Sequence, residues 1–509
     1  MTSPNLRAST GRPDLTLVNL NMLLIRYLDS IERELHVTLG PLYLVAALEK
    51  ARIVVDYRDF QLCDAAEPLV PQSLADFCKD PAPIVGLSCM ANLLPFTLLA
   101  AREIKDRYPD RVIVLGGVGP KSVEKAILER FPWVDIVAHG EGEVSAPLLM
   151  SALKNGDPLE TVPGIFFRRD GAVVENAPPP RIEDLEGLGR PALEYIDYSR
   201  YAGHNVITSR GCPYECTFCS VAPVWGRKPH FRTASGIVAE MKDLHEKFGV
   251  SLFLFQDEFF VSSKERVHEF CSELEKLALP VRWKAFARIN LCDREVMEHM
   301  ADAGCVEIRF GIESGSNRIL KMTNKGFTIE DATRVVSEAV LIFPRVDTFF
   351  IWGFPFETME DFHQTVFQMI GFRLIGARIL PSLLCLLPQT DIYREYRDKA
   401  RLTFYPGLLP EYMLTGHEIC DDGHLQTSPR HEFIFDFIRQ HPDLFPGFFH
   451  IDLESNILPK FEILRKHGFY ASRASEVSEQ DSCGAHSPRL DEEQVLGALT
   501  RARDEDRQE

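Results

Sequence analysis

The chain has 509 residues, 45% of them apolar, enough for two or three globular domains that fold without disulfide staples. With 56 Lys plus Arg against 74 Asp plus Glu, its net charge of −18 argues against a general nucleic-acid or membrane-surface binder. No apolar run approaches the roughly 20 residues that span a bilayer, and the start "MTSPNLRASTGRPDL" lacks the regions of a secretory signal. A cytoplasmic protein with no nucleic-acid or membrane partner is expected.

In chain order, residues 15–23, 52–60, 84–89, 111–117 and 135–143 read as β-branched strands entering loops, with helix-spaced apolar positions at 40–50, 92–107 and 120–130. Strands joined by crossover helices predict an α/β, Rossmann-like (flavodoxin-like) parallel sheet over 1–180, with its ligand beyond the strand carboxyl ends. "GIFFRRDGAVVENA" (164–177) predicts a hairpin turning at Asp170 and Gly171. A Pro-rich linker follows, over 181–203.

A second alternating series runs over 204–390, with strands expected at 205–209, 252–256, 281–289, 306–312, 346–353 and 377–387. Six β/α units predict a partial (β/α)6 TIM barrel, with functional groups at the strand carboxyl ends. Residues 391–472 are aromatic-rich and predict a small, mainly helical C-terminal domain that covers its own phenylalanines or caps a substrate. Residues 473–509 are polar and read as a disordered tail.

The 12 cysteines are scattered except at Cys212, Cys216 and Cys219, just after the first barrel strand. Structural zinc wants four ligands, usually in Cys-x2-Cys pairs, and fits this spacing poorly. A short loop with three thiolates suits one face of an iron–sulfur cube and leaves the fourth iron open.

Cys212-x3-Cys216-x-Phe218-Cys219 resembles the signature of the radical S-adenosylmethionine (radical SAM) superfamily. The resemblance implies a [4Fe-4S] cluster on the three cysteines whose open iron chelates S-adenosylmethionine, with Phe218 near the adenine. It extends to "QDEFF" (256–260), where Asp257 and Glu258 are candidates to receive the methionyl amine. "RFGIESGSNRILKMTNKGFT" (309–328) is similar to the fourth-strand segment of the family, which implies that Glu313 and Ser314 meet the ribose. "FFIWGFPFETMEDF" (349–362) supplies Gly353 for close backbone approach, while Glu357 and Thr358 read as helix-start residues. Arg227, Lys228 and Arg232, after the cluster loop, are candidates for anionic ligand groups or for plain solvated charges.

The first sheet resembles the cobalamin-binding domain fused to one large branch of these enzymes, the class B methylases. That likeness implies cobalamin contacts from Ser88, Gly116, Gly117, Gly140, Glu141 and Gly142. The Asp-x-His-x-x-Gly element is absent, so a corrin here is expected to lack a histidine lower ligand. Cys63, Cys78 and Cys89 raise a second cluster as an alternative, and isolated buried thiols fit their wide spacing better.

The family implies a cobalamin-dependent methyltransferase for a small-molecule or peptide substrate, driven by an external one-electron reductant such as flavodoxin or ferredoxin. Radical cyclisation or ring rearrangement without net methylation uses the same parts. A non-catalytic cobalamin or iron–sulfur sensor is the alternative of another class.

Overall fold

The computed structural model describes residues 12–26, 31–201, 204–255, 257–421 and 424–470; the expected tail at 473–509 lies outside them. No helix among the described residues is long and apolar enough to cross a membrane.

In the first sheet, Leu15–Asn19 lies between Val55–Asp59 and Ile84–Ser88, and Val112–Gly116 and Ile136–Ala138 extend it, all five strands parallel. Leu15–Asn19 and Ile84–Ser88 are buried at every residue, as strands covered on both faces must be. Helices Leu39–Lys50 and Gly142–Asn155 contact each other on one face, and Leu94–Arg107 packs with Pro71–Phe77 on the other. The strand order reverses between Leu15–Asn19 and Ile84–Ser88, which opens a crevice at their carboxyl ends.

The first strand stops at Asn19 rather than running to 23. Asn19 Oδ1 accepts the backbone N–H of Asn21 at 3.1 Å, a local turn that competes with the ladder. Leu23–Arg26 then pairs with Ile31–Glu34 in a separate hairpin. The hairpin expected at 164–177 forms as Ile165–Arg169 and Ala172–Glu175, with Asp170 and Gly171 both at positive φ, and it joins the sheet antiparallel.

The second sheet is parallel in sequence order: Leu252–Phe255, Arg282–Ala287, Cys305–Glu313, Arg345–Trp352 and Arg378–Leu383. The first expected strand, 205–209, shrinks to a single bridge, Asn205 to Leu254. Beyond it, Thr208 and Ser209 are drawn to the buried carboxylate of Asp257, and Ser209–Arg210 pairs antiparallel with His230–Phe231. The crossover helices begin on Thr233, Ser263, Asp293, Thr328 and Thr358, whose side chains each accept a first-turn backbone N–H. Phe253, Phe255, Phe270 and Trp283 pack behind the sheet, with Phe270 edge-on to Trp283 at 5.3 Å.

The C-terminal stretch contains helices Glu432–Gln440 and Leu458–Lys466, joined by short strands and turns. Its phenylalanines are not buried among themselves alone. Ile434, Phe435, Phe445 and Phe448 share one core with Phe60, Phe96 and Leu98 of the first sheet's domain, while Leu453, Ile457 and Leu464 join the barrel core. The segment is a strap over both halves.

Candidate active site at the domain junction

The cluster loop leaves Arg210 through Gly211, at φ +98, where a Cβ would lie 3.1 Å from the Gly226 carbonyl. Cys212, Cys216 and Cys219 are half-buried, whereas Cys63, Cys78, Cys89, Cys271, Cys292 and Cys305 are buried. The loop is tied by Cys219 N–H to Cys216 O at 3.1 Å and by Thr217, which donates to Thr323 O and accepts from Ile392 N–H. Burial pushes the Cys219 thiol up to about 12, so only a bound cation would hold it as thiolate at neutral pH.

The donor set fits a cube. Cys212, Cys216 and Cys219 lie close enough to perturb one another electrostatically. Among the described residues, no three His, Cys, Asp or Glu side chains converge on a single-ion site. Three neighbouring thiols on one short loop suit a cluster, whose irons take one thiolate each. Arg288 Nη1 reaches Cys216 Sγ at 3.7 Å, and its buried Nε and Nη2 have no hydrogen-bond partner. The guanidinium is stacked 3.6 Å over the Tyr214 ring, and an anionic group at the loop would satisfy its free donors.

The residues expected around S-adenosylmethionine divide into two groups. Phe218 lies within the loop, and Glu313 and Glu258 lie beside it. Lys325 Nζ bonds Glu313 Oε1 at 3.0 Å and stands 5.9 Å over the Phe218 ring, also near Cys219. Glu313 ends its strand at φ +71, a left-handed conformation that costs a non-glycine residue about 1–2 kcal/mol. Glu258 is exposed beside Cys212, Arg210 and Trp225, and desolvation by the protein around it pushes its carboxyl up to about 7.

The others are occupied by protein. Asp257 is buried and accepts from Thr208 N–H, Thr208 Oγ1 and Ser209 Oγ, so it anchors the loop entrance. Ser314 Oγ pairs with Thr365 Oγ1 at 2.8 Å, pointing to the helix Met359–Leu374. Gly353 sits at φ +87, and a Cβ there would lie 2.8 Å from Ile457 Cδ1; its N–H donates to Glu357, itself ion-paired to buried Lys460 at 2.7 Å. Arg227 pairs with Glu215, Lys228 with Glu183 at 3.0 Å and Arg232 with Glu240 at 2.5 Å.

On the other side of the junction, a cavity of about 360 Å³ fills the crevice at the switch point. Ser88, Gly116, Gly117, Gly140, Glu141 and Gly142, the six residues expected to meet cobalamin, all line it. Helices Leu39–Lys50 and Gly142–Asn155 begin at its wall with no side-chain cap on Thr38 or Glu141, in contrast to the capped barrel helices. His139 Nε2 and Ser145 Oγ are buried there without partners. Helix starts without side-chain caps, with orphaned polar atoms beside them, fit a ligand that brings phosphate oxygens, as a cobalamin nucleotide tail does.

Arg210, Val224 and Trp225 complete the cavity wall, so the cluster loop and the cavity share residues. Arg210 is 3% exposed; its Nη1 meets Glu141 at 2.9 Å, its Nη2 meets Glu143 at 2.6 Å, and it stacks 5.1 Å over Trp225. Arg210, Lys325 and Arg288 were absent from the expected site. The signal available for Arg210 was its place just ahead of the motif, two residues before Cys212.

A Radical SAM superfamily model matches residues 206–369, and a B12 binding domain model matches residues 29–149. An uncharacterized methyltransferase of Pyrococcus horikoshii is 29% identical over 336 residues, spanning 65% of this chain and 73% of the relative. An anaerobic magnesium-protoporphyrin IX monomethyl ester cyclase of Cereibacter sphaeroides is 28% identical over 406 residues, 74% of this chain but only 64% of the cyclase. The fold is similar to that of the radical S-adenosylmethionine methyltransferase TsrM from Kitasatospora setae, solved with cobalamin and a [4Fe-4S] cluster bound. The TM-score is 0.66 and the identity 18%, over 98% of this chain and all of that one. With both models matching in order over two interlocked domains, the chain belongs to the cobalamin-binding radical S-adenosylmethionine enzymes.

Proposed function

We propose that the protein is a cobalamin-dependent radical S-adenosylmethionine methyltransferase for a small-molecule or peptide substrate, fed by a one-electron reductant such as flavodoxin or ferredoxin. The observation that carries the reading is the shared wall, in which Arg210 and Trp225 line the cavity at the root of the cluster loop. When bound, the cluster and corrin supply one-electron cleavage of the cosubstrate and a transferable methyl group.

The protein's part is binding, orientation and exclusion of water. Cys212, Cys216 and Cys219 would hold the cluster. Phe218 and Glu313 would seat the cosubstrate, and Glu258 would receive its amine. Asp257 keeps the loop entrance in place from the barrel side. The uncapped helix starts and the glycines at 116, 117, 140 and 142 would cradle the corrin tail. The free cysteines among the described residues suit a reducing compartment such as the cytoplasm.

Cyclisation or rearrangement is the second reading, favoured by the likeness to the cyclase. The test is anaerobic purification with added cobalamin, then metal and product analysis. About four irons per chain, one cobalt, release of 5′-deoxyadenosine and a product heavier by one methylene support methyl transfer. Loss of hydrogens without added carbon supports cyclisation, and absence of cosubstrate cleavage by the loaded protein supports a sensor.

A further inference from the structure

Arg210 belongs to two sites at once. Its backbone pairs with His230 and leads through Gly211 to Cys212, while its guanidinium is buried against the 140–143 loop of the other domain. Glu141 is held from a second side by Arg181 Nε at 3.1 Å and by the N–H of Ile182 at 2.7 Å. Behind Arg210, Asp257 fixes Thr208 and Ser209. The guanidinium is therefore clamped at both ends, and the Arg210 Nε has no hydrogen-bond partner, although Arg210 lines the cavity.

A buried arginine between a buried carboxylate, Glu141, and a partly buried one, Glu143, does not slide gradually, because separating it from Glu141 leaves an uncompensated charge in a poor dielectric. Displacement of Gly140, Glu141 or Gly142 by a ligand in the cavity must be followed by Arg210 or must break that triad. Motion of Arg210 in turn must pass through one glycine into the first thiol of the cluster loop.

We propose that Arg210 is a positioning residue that couples occupancy of the corrinoid cavity to assembly of the cluster, so that each favours the other. The inference rests on the reading above that the cavity takes cobalamin and the loop an iron–sulfur cluster. Reciprocity is required: if the cluster raises cobalamin affinity by some factor, cobalamin raises cluster affinity by the same factor.

The test is an absorbance titration of hydroxocobalamin into cluster-loaded and cluster-stripped protein, with wild type, Arg210→Lys and Glu143→Gln. Glu143→Gln keeps the Arg210–Glu141 pair and guards against a variant that merely fails to fold. The wild type is expected to bind cobalamin about tenfold more tightly with its cluster than without it, within the usual range of coupling between sites. In Arg210→Lys that ratio falls towards one and in Glu143→Gln, which loses one arm of the clamp, it falls part of the way, and protection of the iron against a chelator by cobalamin falls in the same order. A wild-type ratio of one, or variants that retain the wild-type ratio, overturns the proposal. Failure of cobalamin to bind either form instead overturns the assignment of the cavity, so the two failures are distinct.

Discussion

Lys325 Nζ lies 3.0 Å from Glu313 Oε1, and both side chains are almost fully buried beside the cluster loop. Replacing Lys325 by Met strands the carboxylate and is expected to cost about 3 kcal/mol or more of stability. The Lys325→Met/Glu313→Gln pair should recover much of that loss in thermal unfolding. Both variants should still bind S-adenosylmethionine at least about tenfold more weakly, roughly 1.4 kcal/mol, by equilibrium dialysis of cluster-loaded protein. Retained affinity would remove Glu313 from the cosubstrate site.

Two adjacent glycines predict opposite phenotypes. At Gly117, φ is +87 and a Cβ would stand 2.5 Å from the Cys89 carbonyl oxygen, so Gly117→Ala is expected to lower the melting temperature markedly. At Gly116 a Cβ meets nothing within 4 Å, and the position opens on the cavity. Gly116→Val should therefore fold like the wild type and lose cobalamin, as read by corrin content after gel filtration.

Glu258 gives a pH dependence. Desolvation raises its carboxyl to about 7, so the folded protein binds this proton more tightly than the unfolded chain does. Stability from this group is present at low pH and declines as pH rises through about 7. Binding of the cosubstrate amine has the opposite sign, since it needs the ionised carboxylate. Affinity for S-adenosylmethionine should strengthen from pH 6 to pH 7.5 in the wild type. Glu258→Gln should flatten that rise, and an unchanged profile would exclude the role.

Iron counting separates one cluster from two. Cys212→Ala, Cys216→Ala and Cys219→Ala should each lose most of the iron. Cys63→Ala, Cys78→Ala and Cys89→Ala should keep about four atoms per chain, because these thiols are buried and burial pushes Cys78 and Cys89 up to about 12. Eight irons in the wild type would restore the second cluster.

The sheets were legible because hydrophobic runs and short polar helix caps are local. Strand 84–88, the turn at Asp170 and Gly171 and the barrel strands from 252 onward are written in contiguous residues. So is the thiol triplet, whose spacing is itself the site. The strand at 205–209 was misjudged in extent because its apolar pattern continues while Asp257, some 50 residues away, captures Thr208 and Ser209. Distant partners also decide Ser314 and Gly353, whose neighbours Thr365 and Ile457 are invisible in a local window. Arg210 stands two residues before the first thiol of the triplet, yet its importance depends on Glu141 and Glu143, nearly 70 residues earlier.

The strap has a consequence for biosynthesis. Side chains that share a core with Phe96 and Leu98, such as Phe435 and Phe448, are made more than 300 residues later. The first sheet thus emerges from the ribosome with one apolar flank bare and stays so until almost the whole chain has been translated, a window in which an unfinished protein is prone to aggregate. Expression should accordingly favour slow synthesis at low temperature, and truncation before residue 430 should yield insoluble material even though both ligand-holding loops would be present.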